Sequence, residues 1–228
     1  MMRRVGILGG MGPEATILIM QKVLAGVRAT DDADHMPLIV DQNPQVPSRI
    51  RHLIDGTGQD PGPVLAEMAR RLVAGGAEAL AMPCNTAHHY APAIRAAVDV
   101  PLLDMIEISV SHAATLVGLN RIVGILASPA VKKVGLFEPA LQRHRLTGLY
   151  ASDELAMLAA IRQIKAEGPQ LAARQTLQAA SQDLLQRGAT VQLIACTEFS
   201  LIAHSVAEAA TAFDTLDQLV QAILEFAR

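Results

Sequence analysis

The chain reads as an α/β protein made of two similar units, and two observations predict that class. Short, β-rich apolar runs alternate with longer Ala- and Leu-rich helical patterns, which is how parallel sheets with crossover helices are written in sequence. The pattern also repeats. Val5-Gly6-Ile7-Leu8-Gly9-Gly10 returns 118 residues later as Val123-Gly124-Ile125-Leu126-Ala127-Ser128. Gly76-Ala77 leads into Leu80-Ala81-Met82 and Cys84-Asn85-Thr86, as Gly188-Ala189 leads into Leu193-Ile194-Ala195 and Cys196-Thr197-Glu198, at an offset of 112. Pro101-Leu102-Leu103-Asp104-Met105 is echoed by Thr211-Ala212-Phe213-Asp214-Thr215, each Asp standing ahead of a helical pattern. Three echoes in one order argue for duplication.

The expected architecture is therefore two α/β domains, each a parallel sheet flanked by helices, related by pseudo-two-fold duplication and facing each other. The first is expected to span residues 1–104 plus 210–228 and the second residues 105–209, with the last helix, from about Thr215, packing back on the first domain. The 228 residues suffice for a substantial core.

Charge and composition narrow the partners. With 19 Lys+Arg against 22 Asp+Glu and a net charge of −3, no basic stripe exists to track phosphates, so nucleic acid is not an expected partner. No uncharged apolar stretch approaches the ~18 residues of a membrane span. The start, Met1-Met2-Arg3-Arg4 and then Val5-Gly6-Ile7-Leu8, reads as a first strand rather than a leader, because Glu14 interrupts the apolar run too early. Two cysteines, far apart and without a Cys-x-x-Cys, do not resemble a secreted disulfide framework and fit a reducing cytoplasm.

Ligands of open α/β sheets bind at the carboxyl ends of the strands, and both cysteines fall there. Each is followed by Asn or Thr, so each is expected to open a helix whose N-terminus favours the thiolate and lowers the thiol pKa toward neutrality. A thiol so tuned can take and give a proton. One buried cysteine is usually inert; two at equivalent strand ends of a repeated unit point to paired acid–base work.

Other motifs are weaker. Gly10-Met11-Gly12-Pro13-Glu14-Ala15 contains a Gly-x-Gly-x-x-Ala after a strand, which invites a dinucleotide reading, yet the acidic residue it needs, Asp41, comes late and Pro13 removes an N–H where a pyrophosphate would sit. The same backbone could cradle a carboxylate. Arg49 follows the turn-rich loop Asn43 to Ser48, and Lys165 lies at nearly the repeat offset from it; two cations so placed suit a substrate with two carboxylates, against the plain alternative of solvated surface charges. His88 follows Cys84 by one helical turn, so a Cys–His hydrolase dyad is conceivable, although no nucleophile elbow surrounds the cysteine.

Gly9-Gly10-Met11-Gly12-Pro13-Glu14-Ala15-Thr16, Met82-Pro83-Cys84-Asn85-Thr86-Ala87-His88 and Cys196-Thr197-Glu198 together resemble the aspartate/glutamate racemase family, most of all its aspartate racemases, over essentially the whole chain. The resemblance implies two flavodoxin-like domains with a site between them, a homodimer, and racemisation without pyridoxal phosphate, metal or any other cofactor. By position it implies that Cys84 and Cys196 are the catalytic pair, that Arg49 and Lys165 anchor substrate carboxylates, and that Met11, Asn85, Thr86, Ser128, Thr197 and Glu198 line the site. The chain departs from the family at Leu126-Ala127-Ser128-Pro129-Ala130-Val131, where a Leu-Ala-Thr followed by Gly-Thr is common, at Ala195, where Gly usually precedes the second Cys, and at Phe199-Ser200 in place of a Leu-Pro.

The activity so implied is inversion of an acidic amino acid, aspartate or glutamate, by one thiolate removing the α-proton and an opposed thiol delivering another. The alternatives are a decarboxylase or isomerase of small diacids, a non-catalytic dicarboxylate or amino-acid binding protein, and a thiol redox switch.

Overall fold

The computed structural model describes residues 2–118 and 121–228. Its backbone contacts divide into two compact units, Met1–Met105 with Leu216–Arg228, and Ile106–Thr215.

In the first unit, β1 (Val5–Gly9), α1 (Pro13–Ala25), β2 (Leu38–Gln42), α2 (Gly62–Ala74), β3 (Ala79–Ala81), α3 (Ala91–Ala97) and β4 (Leu102–Leu103) follow one another, and α4 (Met105–Leu116) begins at its edge. The strands form a parallel sheet in the order β2-β1-β3-β4. In the second unit the order along the chain is β5 (Ile122–Ala127), α5 (Pro129–Lys133), α6 (Glu138–Arg143), β6 (Thr147–Tyr150), α7 (Glu154–Glu167), α8 (Leu171–Gln186), β7 (Val191–Ala195), α9 (Thr197–Ser200) and β8 (Thr211–Asp214), before α10 (Thr215–Ala227). That sheet is again parallel, in the order β6-β5-β7-β8. The two units are the same four-stranded α/β design, and the α/β class read from the sequence is the observed one.

The sequence echoes have physical causes. Side chains alternate across a strand, so Val5 and Ile7 of β1 face the layer of α1 and α10, while Leu8 faces α2 and α3. Gly6 shares the α2 side: a Cβ there would come within 2.9 Å of Ala77 and 3.1 Å of Leu72. Its counterpart Gly124 is closed in by Leu184 at 2.9 Å and Ala189 at 3.3 Å. Close helix-on-strand packing thus fixes glycine in both copies. The repeated Gly-Ala is a helix stop: Gly76 (φ +95°) and Gly188 (φ +87°) adopt the left-handed turn after α2 and α8. Ala77 N–H then closes on the Leu72 carbonyl at 3.0 Å and Ala189 N–H on Leu184 at 2.9 Å.

The chain passes between units inside the first turn of two helices. Met105 packs in the first unit, whereas Ile106, Val110 and Ala113 of α4 pack with Val123, Ile125 and Phe137 in the second. Leu216, Leu219, Val220, Ile223 and Leu224 of α10 pack with Val5, Ile7 and Ile19 of the first. The sequence reading puts the second crossing near residue 210. The structure moves it to Thr215, because Thr211–Asp214 pairs with β7 and Phe213 packs on the second core.

Candidate functional site

Each sheet carries one cysteine just beyond the carboxyl end of the strand beside its central strand. In the first unit Gly10 turns the chain out of β1 at φ +90°, where an added Cβ would lie 2.3 Å from the Asn43 carbonyl carbon; only glycine fits there. Thr16 fixes the turn by accepting the Gly10 N–H at 2.8 Å. Met11, buried, packs in one apolar cluster with Val46, Cys84, Ala87 and Tyr90.

Cys84 is 7% exposed. His88 holds its main chain: the ring Nδ1 donates to the Cys84 carbonyl at 2.9 Å, and Nε2 accepts the Met105 N–H at 3.3 Å. Those two bonds assign the neutral Nδ1–H tautomer, and burial holds the His88 pKa below its ordinary value, against the pull of Asp104 and the Cys84 carbonyl. His88 thus grips the Cys84 backbone and leaves the sulfur alone, which removes the geometry a Cys–His hydrolase dyad would need. Asn85 is buried and Thr86 half-buried beside it.

Arg49 is half-buried, with Nη1 donating to the carbonyls of Val46 at 3.2 Å and Pro47 at 2.8 Å. Its charge reaches Tyr90, whose hydroxyl is pushed up to about 12, by burial first, then by Asp60 and Cys84, with Arg49 opposing. Arg49 is therefore held against its own loop, close enough for its charge to act on Tyr90. Tyr90 is the residue that sequence reasoning passed over. Its hydroxyl is buried with no hydrogen-bond partner among the described residues, and the available signal was its position six residues past Cys84 as one of only two tyrosines.

In the second unit Ser128 caps α5 by accepting the Ala130 N–H at 3.3 Å. The β5–β7 register ends with Ala127 opposite Ala195, so Ser128 and Cys196 leave the sheet side by side. Cys196 is 5% exposed and sits at the N-cap of α9. Its thiol donates to Glu198 Oε2 at 3.0 Å, and Glu198 Oε1 accepts from Lys165 Nζ at 2.5 Å. Cys196, Glu198 and Lys165 thus form one chain of contacts, with Thr197 buried next to them.

The helices after the cysteines are shorter than the sequence suggests. Thr86–Tyr90 is a 3-10 segment, and α9 has four residues. One turn aligns few peptide dipoles. At Cys196 the local field is dominated by other groups: burial first and the Glu198 carboxylate second push its thiol well above the ordinary range, with Lys165 and the Glu198 backbone N–H pulling the other way. A lowered pKa was expected there, and the opposite is found.

The dinucleotide reading also gives way. Asp41 is held by Arg71 at 2.6 Å, and the Gly10 N–H a phosphate would use is already bonded to Thr16. Among the described residues no group of three or more His, Cys, Asp or Glu side chains could hold a metal ion, and no helix is long and apolar enough to cross a membrane.

The chain is thus a doubled four-stranded α/β protein with one buried thiol at the carboxyl end of each sheet. Residues 8–223 match the model of the family described as Asp/Glu/Hydantoin racemase. The chain belongs to that family. It is similar to a broad-specificity amino-acid racemase, RacX, of Bacillus subtilis, 32% identical over 107 residues, which is 45% of this chain and 46% of that protein; the match thus spans less than half of the curated relative's length. Among solved structures it is similar to the aspartate racemase of Picrophilus torridus, with a TM-score of 0.86 at 24% identity, covering 99% of this chain and 94% of the other. It is also similar to the glutamate racemase isoform RacE1 of Bacillus anthracis, with a TM-score of 0.69 at 15% identity, covering 98% and 80%. At those identities the structural likeness speaks to the fold.

Proposed function

We propose that this chain is an amino-acid racemase that inverts an acidic amino acid, aspartate in the first place and glutamate in the second, with Cys84 and Cys196 as its two acid–base groups and no pyridoxal phosphate. The observation that carries the reading is the matched pair of thiols, one beyond β3 and one beyond β7, in sheets of the same strand order. Family membership supports the reaction class.

In this mechanism the thiolate of one cysteine takes the α-proton as the thiol of the other delivers its proton to the opposite face of the same carbon. The product leaves with inverted configuration and the protonation of the two sulfurs exchanged. Cys196, whose proton is held by Glu198, begins as the acid, and Cys84 begins as the base. The α-proton of an amino acid is very weakly acidic, so developing negative charge must meet fixed donors; Thr86, Thr197, Ser128 and the backbone of the Gly10 turn are the available ones. Arg49 and Lys165 receive the two carboxylates, Lys165 exchanging its bond to Glu198 for the substrate. Met11 and Asn85 complete the pocket wall. The protein works in the cytoplasm as a homodimer.

Chiral chromatography tests this directly. L- and D-aspartate, L- and D-glutamate, alanine and serine are each incubated with the protein without added cofactor. Interconversion of aspartate enantiomers, or of glutamate enantiomers, is the expected result. Binding of either acid without inversion, or release of carbon dioxide, would refute the reading.

A further inference from the structure

Two donors in the first unit are buried without an acceptor. The Tyr90 hydroxyl and Arg49 Nε each lack a hydrogen-bond partner among the described residues. Tyr90 is only 6% exposed and packs in the cluster that holds Cys84. A buried polar group left unpaired is costly, so two of them close together call for an acceptor that the surrounding chain does not supply. Both are fixed in place. Arg49 spends its Nη1 on the carbonyls of Val46 and Pro47, which leaves the Nε edge to donate. The Tyr90 ring is set by His52, with ring centres 5.9 Å apart, and by His89, edge-on at 5.0 Å. Burial, Asp60 and Cys84 keep the phenol protonated, so it meets a charged ligand as a donor. Asp60, the one carboxylate acting on that hydroxyl, has its Oδ1 occupied by the Gly62 N–H at 2.8 Å.

We infer that the Tyr90 hydroxyl and Arg49 Nε together receive the side-chain carboxylate of the substrate, which makes Tyr90 a specificity-determining residue. The inference rests on the reading above that Arg49 anchors a substrate carboxylate. A carboxylate offers an oxygen to each of two donors, and both bonds are charge-assisted. The carboxamide of asparagine offers one oxygen and turns an NH₂ group toward the second donor, and an apolar side chain leaves both donors buried and unpaired; sites built this way reject the ligand that lacks the matching group. The position of Tyr90 selects the side-chain carboxylate over the α-carboxylate. Thr86 follows Cys84 closely, whereas the 3-10 segment carries Tyr90 about 8 Å beyond Thr86 at roughly 2 Å per residue. The α-carboxylate is bonded to the carbon that the sulfur serves, and the side-chain carboxylate lies further out. Arg49, His52 and Asp60 all belong to the irregular segment between β2 and α2, and such loops carry binding groups and shift to admit ligands.

The test compares aspartate with asparagine, which match in size and differ in the acceptors of the side chain. Dissociation constants are measured for wild type and Tyr90→Phe by calorimetry, and by protection of Cys84 from iodoacetamide read on its peptide by mass spectrometry. The phenyl ring keeps the contacts to His52 and His89, so the thermal midpoint should match wild type. Aspartate and glutamate are expected to bind Tyr90→Phe about tenfold to a hundredfold more weakly, the scale of one hydrogen bond to a charged group, and asparagine within about twofold of wild type. In turnover the loss should fall on KM, with kcat within about threefold. Equal weakening of aspartate and asparagine would assign the hydroxyl to a group that both share and overturn the inference. Unchanged aspartate binding, a loss that comes with a lower thermal midpoint, or a wild type that binds no acidic amino acid would overturn it as well. Binding needs no turnover: a wild type that binds aspartate through Tyr90 but does not invert it would refute the racemase reading and leave this inference standing.

Discussion

The two units share a strand order and a cysteine position, yet they surround their sulfurs differently. Around Cys84 the neighbours are apolar, and the polar groups are turned elsewhere: His88 to the backbone, Arg49 to its own loop carbonyls. Around Cys196 a carboxylate accepts the thiol proton and an ammonium group neutralises the carboxylate. The same strand order thus presents two equivalent sulfurs, and the nearby side chains give them unlike surroundings, with the Cys196 proton held by its neighbours. A two-base inversion starts from one sulfur without a proton and the other with one, and unlike surroundings favour one placement of that proton over the other.

The heaviest blow to the comparison is removal of either sulfur. Cys84→Ser and Cys196→Ser keep the shape of the side chain but replace the thiol by a far weaker acid. Each is expected to reduce kcat by about 10³-fold or more in both directions, the scale of lost general acid–base catalysis. Turnover measured by circular dichroism, with unchanged thermal midpoints, checks this. Near wild-type activity in either variant would show that the two sulfurs are not a pair.

The first turns of the two units should also respond unequally. Gly10→Ala forces a side chain into φ +90° against the Asn43 backbone and is expected to cost about 3 kcal/mol. Ser128→Ala removes only the α5 cap, about 1 kcal/mol. Urea unfolding of both proteins gives the contrast; equal losses would mean that the Gly10 turn relaxes freely.

His88 gives the first unit an acid sensitivity. Its pKa is depressed by burial in the folded protein, so the unfolded chain binds the proton more readily. The stability that neutral His88 supports is present above its ordinary value near 6.5 and is lost as pH falls below it. His88→Phe should lose about 1–3 kcal/mol at pH 8, from the unpaired Met105 N–H and Cys84 carbonyl, and should lack that component of the decline below pH 6.5. A pH series of unfolding free energies for both proteins decides the matter.

How much of this was legible in the sequence can be read residue by residue. The Gly-Ala echo was legible because a left-handed helix stop and a strand pressed against that helix leave few choices of residue at Gly76, Ala77, Gly188 and Ala189. The strand-end position of both cysteines was legible for the same reason. The single-turn structure after Cys84 was readable in principle: Pro92 lacks an N–H and its ring crowds the carbonyl four residues back, which prevents one α-helix from running through residues 86–97. The Cys196–Glu198–Lys165 chain was not legible. Lys165 and Glu198 lie on different helices, and only the packing of α7 beside α9 decides that the ammonium meets the carboxylate rather than water. The role of Phe213 in closing the second sheet was hidden likewise, since an edge strand of four residues carries little pattern of its own.

The gentlest probe alters one oxygen. Glu198→Gln keeps the side chain's size and its ability to accept from the Cys196 thiol, but removes the negative charge that is the second cause of the raised thiol pKa. Burial, the larger cause, remains, and the Lys165 cation, no longer bound to a carboxylate, acts more strongly on the sulfur. Both changes favour the thiolate, so the Cys196 pKa should move down. In the direction where Cys196 must be protonated, loss of that proton would then set in at lower pH, and the alkaline limb of kcat/KM should shift toward neutrality. The equilibrium between enantiomers cannot change, so at any one pH the ratio of the two kcat/KM values is fixed, and the same shift must appear in the profile of the reverse direction. Measuring both directions from pH 6 to pH 10 tests this. Profiles that coincide with wild type would mean that Glu198 sets the position of Lys165 and leaves the Cys196 proton alone; a shift to higher pH would contradict the electrostatic account of the second unit.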